Sequence, residues 1–260
     1  MKLAIAGKGG VGKTTLAALL AQVYADAGLQ VLAVDGDPSP CLAEALGFPS
    51  GLRAELQPIA EMEELIEERT GAKPGTVGGF FTLNPRVDDI PERFSVRHRG
   101  VRLLEMGSVN QGGSGCICPE SAMLKTLFTH LLFRQDEVLI LDMYAGVEHL
   151  GRATADFVDA MLVVAEPTRR SLGTAAQIRR LAADIGLKRL WLVGNKVRTE
   201  EERTFLGDES PGLPLLGVLP ADEAVQDADR LGAAVYDHAP ALRQAAATMA
   251  ETLLELEEAV

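Results

Sequence analysis

A glycine-rich segment near the start of the chain, residues 7–15, has the composition expected of a phosphate-binding loop. It reads GKGGVGKTT and matches G-x-x-x-x-G-K-[ST] between an apolar run and an amphipathic stretch. Glycines let backbone N–H groups surround phosphate oxygens, and the helix that follows adds its positive dipole end. Lys13 is expected to reach the β- and γ-phosphates of a nucleotide, and the Thr14 hydroxyl to bind Mg²⁺. The predicted nucleotide contacts are Gly9, Gly10, Val11, Gly12, Lys13, Thr14 and Thr15.

Carboxylates follow two apolar runs that have the pattern of buried strands. Asp35 and Asp37 follow residues 31–34, and Asp142 follows residues 139–141. Two carboxylates at i and i+2 can serve one cluster of Mg²⁺ and water, and an acid that ends such a strand can hold Mg²⁺ through water. The alternative for the first pair is a plain turn, because Asp-Gly-Asp-Pro is good turn chemistry.

Three cysteines are present, and two of them, Cys116 and Cys118, form a C-x-C pair in a glycine-rich loop before a predicted helix. Thiols at a helix amino end are expected to have a lowered pKa. Two thiolates do not complete a tetrahedral or square-planar metal site, but a two-fold dimer would bring two pairs together as a Cys₄ site. The alternative is two small buried hydrophobes. Cys41 is interpreted as a core or helix-start residue without a metal role.

The composition restricts the classes of function that this chain of 260 residues can serve. The net charge of −12 disfavours sequence-independent nucleic-acid binding and is a poor match for anionic lipid. No apolar run approaches the roughly 20 residues of a membrane span, and the start of the chain does not resemble a signal peptide. We therefore expect a cytoplasmic protein without a nucleic-acid or membrane partner. An odd cysteine count in a reducing compartment argues against a disulfide framework.

Strands and helices alternate along the chain, which predicts parallel β-α-β units with right-handed crossovers. The amphipathic helix from about Lys13 carries Leu16, Leu19, Leu20 and Val23 on one face. We predict an α/β fold: one domain over residues 1–260, with a mostly parallel sheet covered by helices on both faces. Residues 71–100 are predicted to be an irregular insertion. The predicted strands are 2–6, 31–34, 101–104, 138–141, 161–165, 190–193 and 215–218, and the clearest helices are 119–133, 174–185 and 240–258.

The lysine at position 8 makes the phosphate loop unusual. GKGGVGKTT resembles the deviant Walker A ATPases, the family of MinD, ParA, the nitrogenase iron protein and the arsenite-pump ATPase. The resemblance implies that Lys8 reaches across a dimer to the partner's nucleotide, as an arginine finger does elsewhere. It also implies that Asp37 orients the attacking water and that Asp35 supports the water shell of the metal. The alternative for Lys8 is contact with its own phosphate or with solvent.

The same resemblance assigns two further segments. Asp142 and Gly146 match a D-x-x-x-G switch that moves with the γ-phosphate, whereas Glu148 and His149 are interpreted as solvent-facing. Asn195 and Lys196 match the segment that recognises the base, and residues 220–222 lie where the family contacts the purine. The guanine-specific N-K-x-D pattern is absent, because Val197 and Arg198 follow the Asn-Lys pair. The expected nucleotide is therefore ATP.

Within this family, the sequence resembles most closely the CooC-type maturation ATPases of nickel carbon monoxide dehydrogenase. The resemblance rests on the phosphate loop, AVDGDP, the C-x-C followed by Pro-Glu, DMYAGVEHL and NKVR. It implies an ATP-hydrolysing metallochaperone that forms a homodimer on nucleotide or metal binding and promotes nickel insertion into that enzyme. Thiolates suit Ni²⁺, but they suit Zn²⁺ equally. Two alternatives remain: a redox ATPase with a bridging iron–sulfur cluster, and an ATP-driven dimerisation switch whose cysteines are structural.

Overall fold

The described part of this computed structural model, residues 1–76, 80–107, 118–134, 137–143 and 158–258, contains one eight-stranded sheet. The strand order across the sheet is β3-β4-β2-β5-β1-β6-β7-β8. All paired strands run parallel except β3, which lies antiparallel to β4 at one edge. The strands are β1 (Lys2–Gly7), β2 (Val31–Asp35), β3 (Val96–His98), β4 (Val101–Glu105), β5 (Val138–Asp142), β6 (Ala160–Ala165), β7 (Leu190–Val197) and β8 (Leu215–Pro220).

Helices cover both faces of the sheet. Along β1 the side chains alternate: Leu3 and Ile5 join the apolar core beneath the helices of residues 13–26 and 240–258, while Ala4 and Ala6 join the core beneath the helices of residues 119–133 and 169–185. The helices are α1 (Lys13–Asp26), α2 (Leu42–Ala45), α3 (Ser50–Arg53), α4 (Glu63–Thr70), α5 (Ile90–Phe94), α6 (Pro119–Phe133), α7 (Arg169–Ile185), α8 (Glu200–Asp208), α9 (Ala224–Leu231), α10 (Val235–His238) and α11 (Pro240–Glu258), with a 3₁₀ turn at Ile59–Glu61.

The predicted fold class is confirmed. Strand β2 is buried along its whole length, as expected for a parallel strand covered on both faces. The prediction of an irregular insertion over residues 71–100 is wrong for its last part, because α5 and β3 lie there and β3 extends the sheet. Strand β3 includes Arg97 and His98, which begin the short basic run of residues 97–99, and this polarity fits the exposed edge of a sheet. Among the described helices, none is long and apolar enough to cross a bilayer.

The strand order determines which loops meet. Because β5 lies between β2 and β1, Asp142 is the register partner of both Asp35 and Ile5. The loop that follows β1, the acidic segment that follows β2 and the end of β5 therefore share the carboxyl edge of the sheet. Ligands of open α/β sheets bind at this edge.

Candidate functional site

The phosphate loop lies between the end of β1 and the start of α1. Its own backbone closes it, since Lys8 O accepts from Val11 N at 3.2 Å and from Lys13 Nζ at 3.5 Å. Gly12 is the N-cap of α1, and no described side chain caps it. The first turn of α1 also carries no acidic residue. The amino end of this helix therefore offers its N–H groups and its positive dipole end to an anion.

Gly12 is required by both its backbone and its surroundings. Its φ of +100° lies in the left-handed region, and a Cβ at this position would lie 2.0 Å from Asn195 Nδ2. The Asn195 amide approaches closely because Nδ2 donates to Val11 O at 2.7 Å, while Oδ1 accepts from Lys196 N at 2.8 Å. Both ends of this amide are thus engaged behind the phosphate loop. The structure gives Asn195 a role in shaping the loop, and its contact with a base stays a prediction.

A cleft of about 710 Å³ lies beside the phosphate loop and is large enough for a nucleoside. Thr15 and Lys196 contribute to its wall, and so does the segment that follows β8. Lys196 adopts a left-handed backbone, with φ of 57°. Its ammonium donates to Gly10 O at 2.9 Å and to Glu166 Oε1 at 2.6 Å. The predicted purine segment, residues 220–222, is part of the same wall.

The residues predicted to hold magnesium, Thr14 and Asp142, are brought together. The Thr14 hydroxyl donates to Asp142 Oδ2 at 2.6 Å. Asp142 is 2% exposed, and its Oδ1 has no hydrogen-bond partner among the described residues. An unpartnered buried carboxylate oxygen is costly unless a cation or water satisfies it. This oxygen beside the threonine hydroxyl is the donor set that a hard cation such as Mg²⁺ prefers, so the residues fit the ion.

Burial dominates the electrostatics of Asp142. It raises the pKa of this carboxyl to about 7, with a further contribution from the nearby charge of Asp35. The Thr14 hydrogen bond and the Lys13 ammonium act in the opposite direction. A bound divalent cation would favour the ionised carboxylate.

Asp35 organises the acidic loop that follows β2. Its Oδ1 accepts from Asp37 N at 3.0 Å, and its Oδ2 accepts from the backbone N–H groups of Cys41 and Leu42, each at 2.9 Å. Asp37 remains half-buried at the mouth of the site, where Ser39 N donates to its Oδ1 at 2.9 Å. The structure therefore shows Asp35 shaping the loop that presents Asp37, while its place in the water shell of a metal stays a prediction.

A third buried carboxylate, Glu105, was not identified from the sequence. It ends β4 as the register partner of Asp35, it is 9% exposed, and it faces the same side of the sheet as Leu103. Burial, followed by the charge of Asp35, raises its pKa to about 7. The signal was available, since Glu105 follows an apolar run just as Asp35 and Asp142 do.

Glu105 should make folding stability fall as the pH rises. Its carboxyl keeps its proton in the folded chain up to about pH 7, whereas the unfolded chain loses that proton near the ordinary value of 4.5. The stabilisation is full below pH 4.5 and is lost as the pH rises through 7. We expect the free energy of unfolding of Glu105→Gln, relative to that of the parent, to rise by about 1–3 kcal/mol between pH 5 and pH 8. Denaturant unfolding without nucleotide measures this difference. The exposed Glu251→Gln, whose charge does not act on Glu105, should show no such gain, and an equal gain in both variants would contradict this assignment.

The one described member of the cysteine pair, Cys118, is the N-cap of α6 and is 4% exposed. The expected lowering of its pKa is wrong for this chain: burial raises the pKa, although contacts with Ser121 lower it in part. Its Sγ donates to Ser121 Oγ at 3.0 Å. Glu120, the nearest oxygen donor in sequence, accepts from Gly75 N at 3.2 Å. Among the described residues, no three His, Cys, Asp or Glu side chains form a group that could hold a metal ion.

The remaining cysteine, Cys41, is exposed, so the suggestion of a core position is wrong, and only its place at a helix start is confirmed, as the N-cap of α2. Its Sγ donates to Ser39 O at 3.0 Å. Four other residues of the sequence predictions lie outside the described residues, and their roles stay predictions: Cys116, Gly146, Glu148 and His149.

Comparison with known protein families relates residues 2–235 to the CobQ/CobB/MinD/ParA nucleotide-binding domain. The carbon monoxide dehydrogenase accessory protein CooC of Rhodospirillum rubrum is 48% identical over 255 residues, which cover 98% of this chain and 97% of that protein. An uncharacterized ATP-binding protein of Methanocaldococcus jannaschii is 47% identical over 89% of this chain and 90% of its own length.

Solved structures with the same fold include cell-division proteins. MinD of Aquifex aeolicus has a TM-score of 0.67 at 19% identity, covering 98% of this chain and 96% of its own. MinD of Pyrococcus horikoshii, solved with Mg-ADP, has a TM-score of 0.66 at 20% identity over the same shares of the two chains. At these identities the likeness shows the fold.

Proposed function

The chain belongs to the CobQ/CobB/MinD/ParA nucleotide-binding family and shares the family of the accessory protein CooC, and from this premise we propose that it is a maturation ATPase that delivers a metal ion to carbon monoxide dehydrogenase. ATPase activity follows from the family. The observation that carries the client is the 48% identity to CooC over nearly the whole of both chains. The geometry of the nucleotide site supports ATP hydrolysis, and the C-x-C pair supports metal delivery.

The nucleotide chemistry is proposed to use the arrangement at the carboxyl edge of the sheet. The phosphate loop and the amino end of α1 bind the phosphates, and Lys13, only 7% exposed, neutralises charge on the β- and γ-phosphates. Thr14 and Asp142 would hold Mg²⁺, which supplies charge stabilisation at the transferred phosphoryl group. Asp37, presented by the loop that Asp35 shapes, orients the attacking water.

A homodimer is proposed to complete each site. Lys8 is exposed at the top of the phosphate loop, and among the described residues none accepts a hydrogen bond from its ammonium. In a two-fold dimer the same lysine reaches the nucleotide of the other protomer from each side. Hydrolysis is then coupled to the closing and opening of the dimer.

The metal, Ni²⁺ or Zn²⁺, is the cargo. Two C-x-C pairs facing each other across the two-fold axis supply four sulfur ligands, the number that a tetrahedral or square-planar site needs. The raised pKa of Cys118 means that metal binding must displace a proton from its thiol. A change in the dimer interface on hydrolysis would then release the ion to the client enzyme.

Client activation tests this proposal. Nickel-free carbon monoxide dehydrogenase would be incubated with this chain, Ni²⁺ and Mg-ATP, and its activity followed with time. We expect faster activation at limiting nickel with ATP than with a non-hydrolysable analogue, because release depends on hydrolysis. Equal activation with free Ni²⁺ alone would contradict the metallochaperone function and would leave a nucleotide switch that acts on another partner.

A further inference from the structure

The end of β7 fixes two consecutive peptides of the phosphate loop through two consecutive side chains. Asn195 Nδ2 donates to Val11 O at 2.7 Å, and Lys196 Nζ donates to Gly10 O at 2.9 Å. Because a trans peptide holds its C=O and N–H on opposite sides, fixing these carbonyls also sets the orientation of the N–H groups of Val11 and Gly12. The Val11 N–H closes the loop by donating to Lys8 O at 3.2 Å, and the Gly12 N–H is of the kind that surrounds phosphate oxygens.

The two side chains are secured differently. Asn195 is 5% exposed, so packing and its own hydrogen bonds keep it in place. The Lys196 side chain is 50% exposed, and a long exposed lysine loses rotamer entropy when it is held in one position. Its backbone is also in the left-handed region, which is unfavourable for a residue with a Cβ. A further contact is needed to keep its ammonium on the loop.

Glu166 supplies that contact. Its Oε1 lies 2.6 Å from Lys196 Nζ, the distance of a charge-assisted hydrogen bond. Glu166 itself lies on a well-braced turn between β6 and α7: its N–H donates to Ser171 Oγ at 3.0 Å, and its carbonyl accepts from Thr168 N at 2.6 Å. Thr168 also caps α7 through the backbone N–H of Ser171. The carboxylate is therefore presented from a turn that these three hydrogen bonds hold in shape.

We propose that Glu166 is a positioning residue for nucleotide binding, which holds the Lys196 ammonium on Gly10 O and so keeps the phosphate loop in its receptive conformation. The inference rests on the nucleotide site proposed above and adds a residue to which the sequence analysis assigned no role. It also predicts the direction in which nucleotide affinity changes when Glu166 is removed. If Glu166 acted only as a negative charge near a bound anion, its removal would tighten nucleotide binding. If it acts by positioning Lys196, its removal weakens binding.

The test is calorimetric binding of ADP with Mg²⁺ to the parent, Glu166→Gln, Lys196→Met and the double variant. We expect Glu166→Gln to bind about 3- to 10-fold more weakly, because a neutral amide oxygen replaces the charged acceptor of the Lys196 ammonium. In the Lys196→Met background the same change should cost nothing further, because its partner is already gone. In hydrolysis assays the loss should lie in KM, with kcat within about two-fold.

The matched control is Glu209→Gln. It removes an equal charge from another surface ion pair, in which Glu209 Oε2 lies 3.4 Å from Arg169 Nη1. This variant should bind nucleotide as tightly as the parent does. Thermal unfolding without nucleotide shows that each variant is folded. Binding by Glu166→Gln as tight as the parent's or tighter would overturn the inference, as would an equal loss in the Lys196→Met background. Failure of the parent itself to bind nucleotide would refute the proposed site instead.

Discussion

Replacing Lys8 with alanine is expected to lower ATP hydrolysis by about 10³-fold while nucleotide affinity changes by no more than a few-fold. The size follows from what a trans-acting cation contributes to phosphoryl transfer in other P-loop enzymes. The binding result follows from the structure, in which the loop is closed by the Lys8 carbonyl and not by its side chain: Val11 N and Lys13 Nζ both donate to that oxygen. Alanine keeps this carbonyl. Steady-state hydrolysis and calorimetric binding, measured side by side, check the two halves of the expectation.

Mixing two inactive variants tests whether Lys8 acts across a dimer. Lys8→Ala lacks the trans cation, and Asp37→Asn lacks the group proposed to orient water in its own site. In a mixed dimer one site combines the intact Asp37 of one protomer with the intact Lys8 of the other. Random exchange makes half of the dimers mixed, each with one complete site, so about a quarter of the parent activity should return.

Activity that stays at the level of the two separate variants would show that Lys8 acts within its own chain. Light scattering with Mg-ATP provides the control, because both variants must form dimers for the mixture to be informative. A chain that stays monomeric in every nucleotide state would remove the basis of the trans assignment altogether.

The fold was largely predictable because the burial of parallel strands is visible in the chain. Runs such as residues 138–141 and 161–165 are continuously apolar, and the structure extends most of the predicted strands by only one to four residues. The polar residues that end them, including Asp35 and Asp142, mark the carboxyl edge where the site lies. The phosphate loop was equally predictable, because the left-handed backbone at position 12 is a local feature that requires glycine.

What could not be predicted depends on contacts between segments distant in sequence. The amide of Asn195 turns toward Val11, 184 positions away, and no local pattern indicates that direction. Glu105 and Glu166 each come after an apolar run, but only the strand order shows that both lie at the edge of the sheet where the site is. The pKa of Cys118 was misjudged because the helix amino end is a local feature, whereas burial depends on the whole core.

Replacing both cysteines of the C-x-C pair with serine is expected to abolish metal binding. Reduced parent protein loaded with Ni²⁺ or Zn²⁺ should retain one ion per two chains after gel filtration with in-line metal analysis, and the Cys116→Ser, Cys118→Ser variant should retain none. The reason is ligand number: one C-x-C pair supplies two sulfurs, and a stable site needs four. The part of the chain that the structure describes offers no group of three His, Cys, Asp or Glu that could hold the ion instead.

The third cysteine provides the matched control, because Cys41 is exposed and its thiol hydrogen-bonds to Ser39 O within its own loop. Cys41→Ser should therefore retain metal like the parent, so that any loss in the double variant is specific to the pair. Because binding must displace a proton from the buried Cys118 thiol, retention should strengthen as the pH rises. Bound iron together with visible absorbance would show that the cysteine pair holds an iron–sulfur cluster and not a cargo ion. Metal retained by the double variant, with dimers still forming on ATP, would leave the cysteines a structural role and make the chain a nucleotide switch.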